Sequence, residues 1–494
     1  MLADNADPTD LADLTDRGCL ARGREAARAL RGGSRAFRGE LVLPDDPGYQ
    51  GVREIWNAAI TRRPAVIARC RDAGDVAGAV RVAQQLGLDF SVRGGGHNIA
   101  GTSLTDGGLT VDMSLMDGVA VHSDSSTAEV QLGLTWGQLD RATHPAGLAT
   151  PGGIVSGTGV AGLALGGGFG WLSRRYGWSC DNIRSAELVG ADGTLLRADP
   201  RADGELFWAL RGAGGNFGVV TSLTLQLHPV RQVYAGYLVY PLADAPAVLA
   251  HCQQVMAEAD DAACLVIGIG PPPDAPGLPP ELAGTRVLRI GLCHSGSAEA
   301  GERLAGDLAA VRRPAFRRLE VMPYPVLQAM LDAGGVRGLG HYAKSHFLRP
   351  LDSAAIGTLV EQAALAPAAR CRVVLHTCGG WPSRPGHPDT AFGHRDAAYN
   401  LQIDATWELT EDPAGYIDWA RQMWSAMLPF SDGGVYVNFL GPDAGPADLV
   451  RAYGPDRLRR LQAVKAAYDP ENFFRSNQNI RPGTPVPAGG EGSR

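Results

Sequence analysis

Residues 93–98, Arg93-Gly94-Gly95-Gly96-His97-Asn98, set three bare backbones beside one imidazole. Glycine has no Cβ, so successive residues can take φ > 0 and turn their N–H groups toward a single anion. That is chemistry for holding a phosphate, with Arg93 adding charge and His97 delivered alongside. A plain surface turn is the competing reading, because glycine clusters also punctuate loops. A second run, Gly157-Thr158-Gly159-Val160-Ala161-Gly162, has the spacing of a dinucleotide fingerprint, with Asp181 downstream to hold a ribose. Its flanks oppose that reading: Pro151-Gly152-Gly153 precedes it and Gly166-Gly167-Gly168-Phe169-Gly170 follows, where a buried strand and a helix are needed. The run reads better as a second backbone nest facing the same ligand.

The elements that must position these loops are legible around them. Apolar Pro64–Arg69, then Val76, Val80, Ala83 and Leu86 at helical spacing, then Phe90-Ser91-Val92 predict strand-helix-strand, so the first glycines follow a strand end. Short strands are expected at Leu109–Met113, Val119–His122 and Ala128–Leu132, with a hairpin Ser185–Ala198 turning at Asp192-Gly193. After Pro229 the glycines thin out, and Tyr234–Tyr240 opens a set of longer strands and helices. The Pro-rich stretch 270–280 is an exposed loop or a pocket cover. An amphipathic helix is expected near Ala447–Tyr468, and a short one around Gly23–Leu30.

Composition bounds the function. The chain has 494 residues, enough for two domains, and its 65 glycines are about twice the usual share near 7%. With net charge −7 and no run of Lys or Arg, neither nucleic acid nor an anionic membrane is an expected partner. The 8 cysteines form no Cys-x-x-Cys pair, so no metal site is expected and a reducing cytoplasm fits. The acidic Met1–Asp16 stretch resembles neither signal peptide nor anchor.

Five ordered segments, Ser91–Ser103, Thr150–Gly170, Tyr176–Asn182, Arg211–Thr221 and Tyr468–Ile480, together resemble the FAD-linked oxidases of the vanillyl-alcohol oxidase (PCMH) superfamily. The likeness is nearest to the berberine-bridge-enzyme-like group that includes 6-hydroxy-D-nicotine oxidases, and it covers roughly residues 50–482. It implies an α+β, two-domain PCMH-type fold whose substrate domain is an antiparallel sheet covered by helices. The expected partition is a lead-in (1–50), an FAD domain (51–230), a substrate domain (231–440), a berberine-like segment returning to the FAD domain (441–482) and a disordered tail (483–494).

The resemblance also implies site residues. Arg93–Asn98, Gly101, Thr102 and Ser103 should line the pyrophosphate, with Gly152, Gly153, Thr158, Gly159 and Gly162 near ribityl and flavin. Val219 and Val220 should lie at the adenine end, and Asn477 and Asn479 should return to the flavin unless they only cap turns. His97 matches the histidine that family members bond to the 8α-methyl of FAD. Double-linked relatives add a cysteine where this chain has Val155, so one link is expected and Cys180 is a buried thiol. Val160 matches a gate position at which valine admits oxygen in plant members.

Family members move a hydride from a carbon bearing oxygen or nitrogen to the flavin and reoxidise with O₂, giving H₂O₂. A base is needed, and a tyrosine of lowered pKa on the substrate sheet is expected to supply it. Gly434–Phe439 resembles the family's Tyr-x-Asn strand, which makes Tyr436 the candidate base, although a merely buried strand tyrosine is the alternative. In the strand from Tyr399 to Trp407, Gln402 stands where berberine bridge enzyme has a catalytic glutamate, so a carboxylate base is expected to be missing. His341, Tyr342, His376 and His394 are further polar candidates without an assigned role. A dehydrogenase with another acceptor and a non-catalytic ligand-binding protein are the rival functions. The Ala-, Arg- and Gly-rich composition looks actinobacterial and suggests, by association, specialised metabolism acting on a small molecule.

Overall fold

The computed structural model describes residues 8–33 and 35–483, with side chains from Gly18 onward. Most of the expected tail and the start of the acidic N-terminus lie outside the described residues. The expected short helix around Gly23–Leu30 is the last part of a longer one, Pro8–Gly32.

The strand-helix-strand unit is present as Val66–Arg69, Ala73–Gln85 and Phe90–Arg93. Asp72 caps the helix by accepting the Asp75 N–H, and Val76, Val80 and Ala83 turn inward at its helical period. Between the two strands, and parallel to both, runs Leu109–Asp112. The glycines after Arg93 therefore leave the C-terminal end of a parallel strand, where open α/β sheets place their ligands. A second, antiparallel sheet has the order Val119–His122, Thr127–Gln131, Val219–Gln226, Ile183–Val189, Leu195–Ala198. Its last pair is the expected hairpin, reversing between Gly190 and Thr194.

A third sheet has seven antiparallel strands in the order Phe316–Pro323, Gln232–Pro241, Val287–His294, Ala263–Gly270, Arg372–Thr377, Tyr399–Glu408, Leu339–Leu348. Helices Ala245–Glu258, Ala298–Ala309, Ser353–Ala364 and Ala414–Met427 cover one face. The strand Tyr399–Glu408 shows how the two faces are specified. Tyr399, Leu401, Ile403, Ala405 and Trp407 join the apolar core under the helices, while Asn400, Gln402 and Asp404 alternate onto the other face.

The C-terminal segment returns to the first sheets, but as two helices rather than one. Pro446–Tyr453 and Pro455–Tyr468 are split at Gly454, whose φ of +74 breaks the helical path ahead of a proline. The return is anchored by buried Lys465, which donates to the carbonyls of Asn216 and Phe474 and pairs with Asp469 at 2.6 Å.

Candidate functional site

One cavity of about 390 Å³ runs between the glycine loops and the open face of the seven-stranded sheet. Its wall includes Gly94, Gly95, Gly96, His97, Asn98, Thr102, Ser103, Gly153, Thr158, Gly159 and Gly162, with Val219, Val220 and Asn477 farther along. Both glycine runs thus face one space. They meet backbone to backbone: a Cβ on Gly95 would stand 2.4 Å from the Gly159 nitrogen. Neither glycine of that contact can carry a side chain without parting the loops.

Five expected residues are placed elsewhere. Arg93 lies off the cavity wall and donates to the Val52 carbonyl. Gly152 packs on the Trp136 ring, and Gly101 sits against Ile60. Asn479 is off the wall, although its buried Oδ1 has no partner. Val160 lies wholly in the core, off the cavity wall, with its N–H on the Leu134 carbonyl.

His97 lies on the wall, and burial, with the Arg337 charge adding to it, lowers its pKa to about 4. It is a neutral imidazole at neutral pH. Trp56 stacks between His97, at 5.4 Å, and His341, at 3.7 Å, and donates its indole N–H to Gly335. Cys180 is off the wall, fully buried, and its thiol pKa is raised by burial and by Asp181. Asp181 itself is spent on Arg395, 2.6 Å away, and is not available to a ribose.

At the other end Tyr436 also lines the cavity. The segment around it is not the expected strand: Val437–Phe439 is a 3-10 turn. That turn lets Asn438 Nδ2 donate to Tyr436 Oη at 2.8 Å, while Gly168 N–H donates to the same oxygen at 3.0 Å. Two donors favour the phenolate, yet burial outweighs them and the pKa is raised rather than lowered. The expected lowering is corrected accordingly.

Gln402 lines the cavity inside a relay that its neighbours complete. His376 Nε2 lies 3.1 Å from Gln402 Oε1, Gln402 Nε2 donates to Asp404 Oδ1 at 2.8 Å, and Arg372 Nε meets Asp404 Oδ2 at 3.2 Å. Burial raises the Asp404 pKa against the pull of Arg372. A carboxylate is therefore present, two residues beyond the position where one appeared to be missing. Its signal was the strand alternation, which puts residues 402 and 404 on one face. Of the four unassigned polar candidates only His376 reaches the wall. Tyr342 is bound into a network with Asp443 and Arg421, and His394 stacks on Phe347.

The wall fits FAD on two grounds. At its glycine end Gly95 and Gly159 meet so closely that neither can carry a Cβ, and along the wall the buried Ser103 Oγ and Asn477 Oδ1 have no protein partner.

The chain matches the FAD binding domain family over residues 64–199 and the berberine and berberine-like family over residues 435–481. It is 33% identical to (R)-6-hydroxynicotine oxidase of Paenarthrobacter nicotinovorans, across 90% of this chain and 97% of that one. An FAD-linked oxidoreductase of Dictyostelium discoideum is 31% identical, across 88% and 92%. The crystal structure of 6-hydroxy-D-nicotine oxidase from Arthrobacter nicotinovorans superposes with a TM-score of 0.82 at 30% identity, covering 91% of this chain and 99% of that one. A berberine bridge enzyme variant described as a reticuline dehydrogenase shares the fold at a TM-score of 0.82 and 22% identity, across 93% and 100%. With its α+β PCMH-type fold and its FAD cavity, this chain belongs to the berberine-bridge-enzyme-like family of FAD-linked oxidoreductases.

Proposed function

We propose that this enzyme is an oxidase that holds FAD covalently through His97, takes a hydride from a C–O or C–N carbon of a small molecule, and uses O₂ as acceptor to give H₂O₂. One observation carries the reading: the glycine nest, His97 and the polar face bearing Gln402 and Asp404 share a single cavity with Tyr436. The relative matched over 90% of this chain is an oxidase, which supports oxygen as acceptor.

Bound FAD supplies the hydride-accepting and oxygen-reducing chemistry. The glycine loops hold its phosphates through backbone N–H groups, since Arg93 lies off the wall. Neutral His97 has a free nitrogen lone pair for the covalent link, and Trp56 stacked on it limits the ring's orientations. Tyr436 Oη takes the substrate's hydroxyl or amine proton, with Asn438 and Gly168 already donating to that oxygen and stabilising its charged form. Gln402, fixed at both ends by His376 and Asp404, orients the substrate. A second reading rests on the raised pKa of Tyr436: Asp404 is the base, working through or beside Gln402.

Mixing substrate-reduced enzyme with aerated buffer tests the acceptor. Reoxidation within seconds with one peroxide per turnover is expected; an enzyme that stays reduced until an artificial dye is added is a dehydrogenase. Acid-precipitated wild-type protein should stay yellow, and His97→Ala should release all its FAD. An adduct on the peptide holding Cys180 would overturn the single-link assignment.

A further inference from the structure

One cationic side chain on the cavity wall has no counterion. Arg289 projects from the strand Val287–His294 onto the same sheet face as Arg372, His376, Gln402 and Asp404, and it lines the same cavity. Among the described residues no carboxylate pairs with it and no hydrogen bond satisfies its guanidinium, whereas neighbouring Arg372 is held by Asp404 and the Gly334 carbonyl. Burial and the Arg372 charge pull its pKa down to about 10, which leaves it cationic at neutral pH. The Arg289 side chain is half-buried with its unpaired guanidinium open to the cavity, so the opposite charge that would match it has to come from what fills that cavity.

The sheet register sets it in one row with the reacting end, across Gly268 and Val374. Arg289 stands opposite Gly268, Gly268 opposite Val374, and Val374 opposite Gln402. Gly268 leaves open space, since a Cβ there would meet nothing closer than 3.9 Å. Arg289 can therefore lie over its neighbour strand toward Gln402, three strand spacings or roughly 14 Å away backbone to backbone. Beyond it, Leu278 and Leu282 pack with Tyr237 and Val287.

We infer that Arg289 binds an anionic group of the substrate, a carboxylate or its equivalent, while the oxidised carbon lies several bonds away beside Gln402 and Tyr436. The inference rests on the oxidase reading and names its substrate class: an organic acid whose oxidisable C–O or C–N carbon is remote from the acid group. Arg372 does not compete for the anion, because Asp404 already neutralises it.

The test uses the FAD-loaded enzyme with benzoate, phenylacetate and 3-phenylpropionate against their amides, read by perturbation of the flavin absorbance and, independently of it, by ligand-dependent Tm. At least one carboxylate should bind about tenfold or more tighter than its amide, as charge-assisted pairing predicts. Arg289→Met should erase that preference, Arg289→Lys should keep part of it, and ligand-free Arg289→Met should melt no lower than wild type. Wild-type enzyme without a carboxylate preference, or a preference that survives in Arg289→Met, overturns the inference. So does Arg289→Met enzyme that loses FAD or shifts its flavin potential without ligand, because Arg289 then serves the flavin. Protein that purifies without any flavin defeats the oxidase reading instead, so the two failures are distinguishable.

Discussion

The two ends of the cavity are built in opposite ways. The glycine end is built of backbone: two loops, each contiguous in sequence, press Gly95 against Gly159. The sheet end works with side chains from separate strands, Arg289, Arg372, His376, Gln402 and Asp404, aligned only by register. The first kind of site leaves a local mark in the sequence, and the second leaves almost none. Charge follows the same division, since no arginine reaches the wall from the glycine loops while two reach it from the sheet.

The largest effect expected from breaking this contrast is at the glycine end. In Gly95→Ala the new methyl meets Gly159 backbone, which cannot swing aside as a side chain can, so the variant should purify with little or no FAD. The ratio of absorbance at 450 and 280 nm reads this. A variant with full FAD content would show that the loops are not the cradle.

At the sheet end, single substitutions should spare FAD and slow chemistry. Loss of a general base typically costs about 10²–10⁴ in rate, so Tyr436→Phe should slow flavin reduction by that order with FAD content unchanged. Asp404→Asn separates the two candidate bases. If Tyr436 is the base, its raised pKa makes wild-type reduction climb into the alkaline range. If Asp404 is the base, the rate falls only as pH drops through a carboxylate pKa lifted by burial, and Asp404→Asn loses that limb. Tyr436→Phe enzyme that reduces at wild-type speed removes Tyr436 from the chemistry.

The smallest effect is on stability. Burial lowers the pKa of His228, His341, His346 and His376 to about 4 from 6.5. Between those values the unfolded chain binds protons that the native one refuses, so stability is intact above pH 6.5 and declines toward pH 4. Asp140 works in the opposite sense, because burial lifts its carboxyl to about 7 and the native state holds its proton from there down. His97 shifts with these four histidines and Asp404 with Asp140, so the histidines outweigh the carboxyls, and urea unfolding at pH 7.5 and pH 5 should show a drop on the order of a few kcal/mol. Equal stability at the two pH values would mean that these histidines are solvated.

Much of the fold was legible where periodicity is local. The helix Ala73–Gln85, the hairpin after Ile183 and the long strands after Val230 all follow from spacing and turn residues. Two elements misled. The C-terminal helix reads as continuous because Gly454 hides inside an apolar period, and the Tyr436 segment reads as a strand because it resembles the family's Tyr-x-Asn strand. In that segment the Asn438 side chain bonds the Tyr436 hydroxyl and the Leu163 carbonyl across the cavity floor, and the backbone follows that contact rather than its propensity.

By itself the sequence marked the two glycine loops that meet on one cavity, because a backbone nest needs glycine and glycine clusters are visible in one dimension. It also contained Asp404, since a two-residue period places that carboxylate beside Gln402. Only the tertiary structure decided that Arg93 and Val160 lie off the cavity wall, and that Arg289 shares a row with Gly268, Val374 and Gln402 without a counterion. Charges separated by more than a hundred residues become neighbours through strand register alone, and register is set by the apolar face buried under the helices rather than by the polar residues that use it.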